Sequence, residues 1–231
     1  MKNLIVYLNG GRVGCLTQDD DGLVAFSYDP EWLSRRDAIP LSRMLPLRLE
    51  AFPAKQVRPF FAGVLPEQEP RRKIAAILGI SEGNDFAMLE RIGGECAGAV
   101  SLFPEDYSPA VHAEEKLHEL SDAELRQIIA ELPRRPLMAG KEGVRLSLAG
   151  AQDKLPVVIR GKRVFLPLGN TPSTHIIKPE PDSYPGLAAN ELFCITLARE
   201  VGLIVPDVES RTIGGKRCLV VSRYDRVAGA D

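Results

Sequence analysis

Short apolar runs separated by turn residues dominate the first thirty positions of the chain. Leu4 to Leu8 and Arg12 to Leu16 flank Asn9-Gly10-Gly11, and Leu23 to Tyr28 continues the same pattern. Asn and Gly tolerate the positive φ that a two-residue hairpin turn requires, so the first two runs predict a hairpin and the third adds a strand. The chain is therefore predicted to open with a small β-meander.

The pattern then changes to the helical period. Three helices are predicted, at Val57 to Val64, Arg71 to Leu78 and Asp85 to Ile92, the last with Asp85 as its N-cap, followed by a strand from Ala99 to Phe103. Gly93-Gly94 could form a phosphate-binding loop, but no helical pattern follows these glycines. A tight turn into the strand is therefore the favoured interpretation.

The segment from Pro104 to Val111 is polar and contains proline, which is typical of a linker. Beyond it, Ser121 and Glu124 have the spacing of a capping box, and they predict a helix that runs to about Leu132. Pro133 and Pro136 end that helix. Arg134 and Arg135 could recognise a ligand, but they are better explained as a solvated helix end.

The second half predicts mostly strands. Leu155 to Ile159 should pair with Val164 to Leu168 across Gly161-Lys162, and Arg211 to Ile213 with Arg217 to Ser222 across Gly214-Gly215. A helix from Asn190 to Val201 lies between these hairpins. The apolar residues expected to pack that helix on the sheet are Leu192, Ile195, Leu197, Ala198 and Val201. The predicted class is α+β.

Composition limits the function. With 231 residues, 45% of them hydrophobic and 26% charged, the chain can form one large or two small cores. A net charge of −2 argues against extensive sequence-independent binding of nucleic acid. Cys15, Cys96, Cys194 and Cys218 lack metal-ligand spacing and are predicted to be buried, reduced thiols. We find no signal peptide or membrane span, so a cytoplasmic protein is expected.

The candidate chemistry lies between Leu146 and Lys178. A small-residue loop, Ala149-Gly150-Ala151, lets backbone N–H groups approach a ligand, and Lys178 ends a short apolar strand. Such a loop and cation favour phosphate binding. The spacing resembles a protein-kinase N-lobe, with Glu191 as the helix glutamate that holds the lysine, although the glycine loop GxGxxGxV of kinases is absent.

Several longer stretches resemble the HipA family, the kinase toxins of bacterial HipBA toxin–antitoxin pairs. They are LPLRL, FFAGVLPE, LERIGGECAGAVSLFPE, SLAGAQDKLPV, PSTHIIKPE, AANELFCITLAREVGLIVPDVE and LVVSRYDR. The resemblance implies a HipA N-terminal subdomain of β-meander and helices at residues 1–104, a linker and helix at 105–136, and a region like a kinase N-lobe at 137–231. That region would be an antiparallel sheet with one long helix.

The resemblance also implies site residues. ATP would contact the loop, the strand lysine and the interlobe hinge, namely Ala149, Gly150, Ala151, Gln152, Asp153, Lys154, Lys178, Ser222, Arg223 and Tyr224. Glu191 would position Lys178, and Ser147 would be autophosphorylated to switch the kinase off. Ser222 stands where the family carries an acidic residue. His175 is expected to be structural.

The implied activity is transfer of the γ-phosphoryl group of ATP, with Mg²⁺, to a Ser or Thr of a target protein. The target would belong to translation, for example an aminoacyl-tRNA synthetase. The catalytic residues and metal ligands are expected in a C-lobe outside this chain, and Asp225 and Asp231 are interpreted as surface charges. A HipB-like helix-turn-helix antitoxin is the expected partner, with DNA bound only through it. The alternative is a non-catalytic module that binds the antitoxin or a kinase lobe.

Overall fold

A computed structural model describes residues 1–107, 115–169 and 171–226. The chain forms two compact units, each with its own antiparallel sheet. Unit 1 comprises Met1–Glu114 with Arg145–Gly150, and unit 2 comprises Glu115–Val144 with Ala151–Asp231. Part of the predicted linker and helix at 105–136 therefore belongs to the second unit, and a six-residue segment of the second half belongs to the first.

Unit 1 is a four-stranded sheet with helices. Its strands are β1 Lys2–Leu8, β2 Gly11–Gln18, β3 Val24–Tyr28 and β4 Val100–Pro104, in the order β3-β2-β1-β4. Its helices are α1 Pro30–Leu33, α2 Ala54–Gly63, α3 Gln68–Leu78 and α4 Asp85–Ile92. The predicted meander is confirmed, and its first turn has the positive φ expected at Asn9 (50°) and Gly10 (76°).

Aromatic rings fill the core of unit 1. The ring of Phe26 lies 4.8 Å from that of Tyr28, 5.7 Å from that of Phe61 and 6.4 Å from that of Phe52, measured between centroids. The ring of Phe26 also lies against Gly14 on the neighbouring strand. A Cβ at Gly14 would stand 2.1 Å from the carbonyl oxygen of Ser27, so only glycine fits there.

The helices of unit 1 depart slightly from the predicted bounds. Both α2 and α3 begin three residues before the predicted starts, at Ala54 and Gln68. The assignment of Asp85 as N-cap was wrong: Asn84 caps α4, with its Oδ1 accepting from the amide of Ala87 at 2.9 Å. Asp85 is the first helical residue, and its carboxylate binds Arg58 and Arg71 instead.

Unit 2 is a six-stranded sheet with two longer helices. Its strands are β5 Leu117–Leu120, β6 Leu155–Arg160, β7 Arg163–Pro167, β8 His175–Pro179, β9 Val208–Ile213 and β10 Lys216–Ser222, in the order β5-β7-β6-β8-β10-β9. The helices are α5 Asp122–Glu131 and α6 Leu187–Glu200. Both predicted hairpins are present, while β5 was not anticipated.

Helix α5 confirms the predicted capping box. The amide of Glu124 donates to Ser121 Oγ at 3.3 Å, and the amide of Ser121 donates to Glu124 Oε2 at 2.9 Å. The Ser121 hydroxyl also donates to Glu124 Oε2 at 2.7 Å, and this bond, followed by the one from the Ser121 amide and a contribution from His118, lowers the pKa of Glu124 to about 2. The local sequence alone therefore fixed the start of this helix.

Helix α6 contacts its sheet through a narrow face. Ala188 packs with Leu219 and Val221 of β10, and Leu192 lies at the edge of the same cluster. The prediction that Leu197 and Val201 pack on the sheet was wrong, because these side chains are 50% and 67% exposed. The thiol of Cys194, predicted to be buried, also lies on an exposed position. The mixture of helices and antiparallel sheets confirms the α+β class.

Candidate nucleotide-binding site

An ion pair joins the strand lysine to the helix glutamate in unit 2. Lys178 lies on β8, and its Nζ donates to Glu191 Oε1 of α6 at 2.6 Å. The lysine side chain is 22% exposed and the glutamate side chain 27% exposed. The two residues that were predicted to act together therefore meet, and both remain accessible to a ligand.

The sheet register places the lysine on the face that α6 covers. Lys178 is opposite Leu219 of β10, and Leu219 packs directly under the helix. The preceding residue, Ile177, is fully buried on the other face, as the alternation of a strand requires. Lys178 thus points toward the helix because it lies on the same face of the sheet as Leu219, while Ile177 takes the opposite face.

The start of α6 is tied to the strand that carries Lys178. Glu180, just beyond β8, accepts a hydrogen bond from the amide of Ala188 at 3.3 Å and donates its own amide to the carbonyl of Arg217 at 2.8 Å. Glu191 lies three residues after Ala188 and so shares its helix face. These bonds place the carboxylate over the sheet.

The Lys178–Glu191 ion pair matters more for binding a ligand than for the stability of the fold. A partly exposed ion pair contributes at most about 1 kcal/mol to folding, because water screens both charges. A compact ammonium held at one position, however, provides a fixed positive charge that phosphate oxygens can approach. The geometry is therefore suited to binding a phosphorylated ligand.

The predicted hinge follows directly after β10. The amide of Ser222 donates to the carbonyl of Asp207 at 2.8 Å, and that of Arg223 donates to the carbonyl of Thr174 at 2.9 Å. The Tyr224 side chain is 88% exposed. The amides of Ser222 and Arg223 thus already have protein acceptors, while the ring of Tyr224 faces solvent. The assignment of these residues to the adenine stays a prediction.

Asp225 was wrongly interpreted as a surface charge. Its side chain is only 19% exposed and binds the guanidinium groups of Arg223 and Arg226. Asp231 lies outside the described residues. His175, expected to be structural, is half-buried, with Nδ1 2.7 Å from the hydroxyl of Thr174, and burial is the main cause of its lowered pKa.

The predicted phosphate loop crosses the boundary between the units. Ser147 to Gly150 belongs to unit 1 and Ala151 to Lys154 to unit 2. In unit 1, Gly150 has a φ of 105° and its carbonyl accepts from the amide of Glu67 at 3.3 Å. In unit 2, Gln152, Asp153 and Lys154 are half-buried, and Ala151 is exposed. Their contacts with ATP stay a prediction.

Ser147, the predicted phosphorylation site, is fully buried in unit 1. Its Oγ donates to the carbonyl of Val64 at 2.7 Å, and its amide donates to the carbonyl of Glu95 at 2.9 Å. The hydroxyl is thus a satisfied interior donor rather than a surface group. Any reaction at this oxygen requires the segment to leave its place.

Arg145 secures that same segment and was not predicted. Its Nη2 donates to the carbonyls of Glu90 (2.7 Å) and Leu102 (3.1 Å), and its guanidinium lies 4.7 Å from the ring centroid of Phe103. Burial lowers the pKa of this guanidinium. The sequence carried no local signal for this role, because all three partners lie more than forty residues away.

Other kinds of site find no support in the described parts of the chain. Over residues 1–107, 115–169 and 171–226, no three His, Cys, Asp or Glu side chains are grouped as metal ligands. In those same ranges no helix has the length and apolarity needed to cross a bilayer.

Comparison with known protein families agrees with the geometry. Residues 4–103 match the model of the HipA N-terminal domain, and residues 146–230 match that of the HipA-like C-terminal domain. The chain belongs to the HipA family. Both units contribute to this assignment, since each model covers most of the described residues of one of them.

Known HipA relatives extend the match over nearly the whole chain. Y4mE of Sinorhizobium fredii, provisionally named a kinase, is 45% identical over 100% of this chain and 56% of its own length. The serine/threonine-protein kinase toxin HipA of Shewanella oneidensis is 32% identical over 87% of this chain and 45% of its own. The chain thus spans about half the length of these relatives.

A solved structure shares the fold. It is the Shewanella oneidensis complex of HipA, HipB and operator DNA, one chain of which superposes with a TM-score of 0.79 at 30% identity. The match covers 99% of this chain and 52% of the solved one. Both curated relatives carry the name of a kinase, that of Y4mE being provisional.

Proposed function

We propose that this chain is the ATP-binding portion of a HipA-like toxin that phosphorylates a Ser or Thr of a target protein. The observation that carries the proposal is the 2.6 Å ion pair between Lys178 and Glu191. In protein kinases a strand lysine contacts the phosphates and a helix glutamate holds it, and both must be in place for transfer. The names of the relatives support the same activity.

In this proposal different residues contact different parts of the nucleotide. Lys178 would contact the phosphates, Ala149 to Lys154 would cover them, and Ser222 to Tyr224 would lie along the adenine. Mg²⁺ would accompany ATP, and its ligands and the catalytic base are expected in the part of the relatives beyond the matched region. The target is proposed to belong to translation, with an aminoacyl-tRNA synthetase as the first candidate to assay.

The expected partner is a HipB-like antitoxin. Support comes from the solved relative, which is a complex with HipB and operator DNA. The net charge of −2 gives this chain little electrostatic attraction to a phosphate backbone, so DNA would be bound through the antitoxin. We place the protein in the bacterial cytoplasm, where such a toxin meets both its partner and the translation machinery.

Ser147 is proposed as the residue that switches the kinase off. Phosphorylation removes the proton that its Oγ donates to Val64 and adds roughly −1.5 to −2 charge in a buried position. The modified residue cannot remain there, so the segment that leads into Ala149 to Lys154 would be expelled. A Ser147→Ala form of the full-length protein should keep its activity during incubation with ATP; loss of activity at the wild-type rate would contradict this.

The test of the nucleotide site is ATP binding to the 231-residue chain, measured by calorimetry for wild type and variants. Lys178→Ala should weaken binding at least about tenfold, and Glu191→Gln should weaken it less, because the lysine remains but is no longer held. Lys216→Ala is a matched control. Lys216 lies on the same sheet, in β10, and its Nζ is ion-paired with Asp182 at 3.1 Å. No contact between Lys216 and ATP is proposed.

Equal affinities in Lys178→Ala and wild type would contradict the kinase proposal. They would favour the second candidate, a non-catalytic module that binds another protein. A specific observation supports that candidate: Phe193, Leu197 and Val201 repeat at intervals of four and form an exposed apolar stripe on α6. Substituting Phe193 by Ser should then abolish binding to the antitoxin or to a kinase lobe, with no effect on ATP.

A further inference from the structure

A buried arginine stands at the end of β10. Among the residues that the structure describes, Arg223 is more deeply buried than any other Lys or Arg, at 6% exposure. Its Nε donates to Asp225 Oδ1 at 2.9 Å and its Nη2 donates to Oδ2 at 2.7 Å, which is a two-pronged pairing. Its Nη1 donates to the hydroxyl of Ser173 at 2.9 Å. One guanidinium therefore joins two separate stretches of chain.

Those two stretches bracket the proposed nucleotide. Ser173 and Thr174 lead into β8, which carries Lys178, while Asp225 follows Tyr224 at the predicted hinge. A backbone hydrogen bond connects the same two stretches, since the amide of Arg223 donates to the carbonyl of Thr174 at 2.9 Å. Arg223 thus connects the adenine end of the site to the strand that supplies the phosphate-binding lysine.

The sheet register gives the separation of these two ends. Ser222 is opposite His175, and Leu219 is opposite Lys178, so three residues separate the two rows. At the usual rise of a strand this is about 10 Å. Any movement of the chain after Ser222 would change where a base lies relative to the ammonium of Lys178.

Tyr224 cannot set its own position. Its side chain is almost entirely exposed, so packing does not restrain it. The residues on either side, Arg223 and Asp225, form the bidentate pair that bridges over it. A buried ion pair adds little stability compared with apolar side chains of the same size, but its geometry is strict. Its effect here is to hold the backbone of Tyr224 in one conformation.

We infer that Arg223 is a positioning residue that fixes the base end of the nucleotide site against the Lys178 strand. The inference rests on the proposed ATP site and adds a role that differs from direct contact with adenine. It assigns the Arg223 side chain to Asp225 and Ser173, and leaves the ligand to the backbone and ring of Tyr224.

The test compares ATP with inorganic tripolyphosphate, which carries the phosphates without the base. In Arg223→Lys the charge stays but the two-pronged pairing is lost. ATP should then bind about tenfold more weakly while the affinity for tripolyphosphate changes less than about twofold. Lys178→Ala should weaken both ligands. Arg226→Lys is the matched control, because Arg226 also bonds Asp225 at 3.0 Å and should leave the ratio unchanged.

Two outcomes of the binding measurements would overturn the inference: ATP binding by Arg223→Lys equal to wild type, or equal loss of both ligands. If Arg223→Lys fails to fold, the double variant Arg223→Met, Asp225→Leu takes its place in the test, because it removes both charges of the Arg223–Asp225 pair together. Amide hydrogen exchange separates this inference from the proposed function. If wild type binds no ATP, unchanged exchange at Tyr224 and Asp225 in Arg223→Lys overturns the positioning role, and faster exchange supports it.

Discussion

The two units cover their sheets in different ways. In unit 1 the sheet face is closed by aromatic rings, with Phe26, Phe52 and Phe61 fully or almost fully buried. In unit 2 the helix α6 has a single buried residue, Ala188; its other contacts with the sheet include the half-buried side chain of Leu192 and the Lys178–Glu191 ion pair. The difference indicates that aromatic packing stabilises unit 1. On the α6 side of unit 2, fewer apolar side chains are buried, and a charged site stays accessible.

The sharpest way to break this comparison is to remove one phenylalanine from each unit. Phe26→Ala leaves a cavity among three other rings and should cost about 3–5 kcal/mol of unfolding free energy. Phe193→Ala, on the exposed face of α6, should change stability by less than about 0.5 kcal/mol. The single tryptophan, Trp32, is buried in unit 1, so its fluorescence during urea unfolding measures the loss of stability caused by Phe26→Ala.

Circular dichroism of the same titrations reports both units. Similar losses in the two variants would show that α6 packs against something in solution that its exposure does not reveal. A loss in Phe193→Ala alone would reverse the comparison altogether.

The capping box of α5 sharpens the comparison within unit 2. Ser121→Ala removes the acceptor for the amide of Glu124 and should cost about 1 kcal/mol, measured by urea unfolding. Ser121→Asp restores an acceptor at the same position and should recover most of that loss. If both variants lose the same amount, the side-chain cap is not what stabilises the start of this helix.

Sequence reasoning succeeded where the signal was local. The Asn9-Gly10 turn and the Ser121–Glu124 box each depend on residues that are adjacent along the chain, and both are present. The pairing of Lys178 with Glu191 was expected from the family resemblance, and the strand alternation and helix phase bring the two together. Local motifs and the family resemblance thus sufficed to predict these features.

Sequence reasoning failed where distant residues decide the environment. The bond from Arg223 to Ser173, fifty residues earlier, was not anticipated, because nothing near Arg223 in the sequence signals that partner. Leu197 and Val201 have the spacing of a core face, yet no element within the described part of unit 2 covers them. The apolar period of a helix shows which residues share a face, and does not show whether that face has a partner.

The smallest expected effect concerns the pH dependence of unit 2. Burial, with the positive charge of Arg211 as a second cause, lowers the pKa of His175, while Glu209 opposes this shift. A lowered pKa means that the unfolded chain binds the proton more readily. The stability contributed by neutral His175 is therefore fully present above the unfolded pKa of about 6.5, declines below it, and is lost as the pH falls through the lower pKa of the folded state.

His175→Gln has no titrating ring, so the unfolding free energy of unit 2 should fall less between pH 7.5 and 5.5 than in wild type, by a smaller amount than the Ser121→Ala effect. Urea titrations at several pH values, followed by circular dichroism, measure this difference. Parallel pH profiles for wild type and His175→Gln would show that the half-buried ring is hydrated enough to accept its proton freely, and that even the interior of this sheet is open to water.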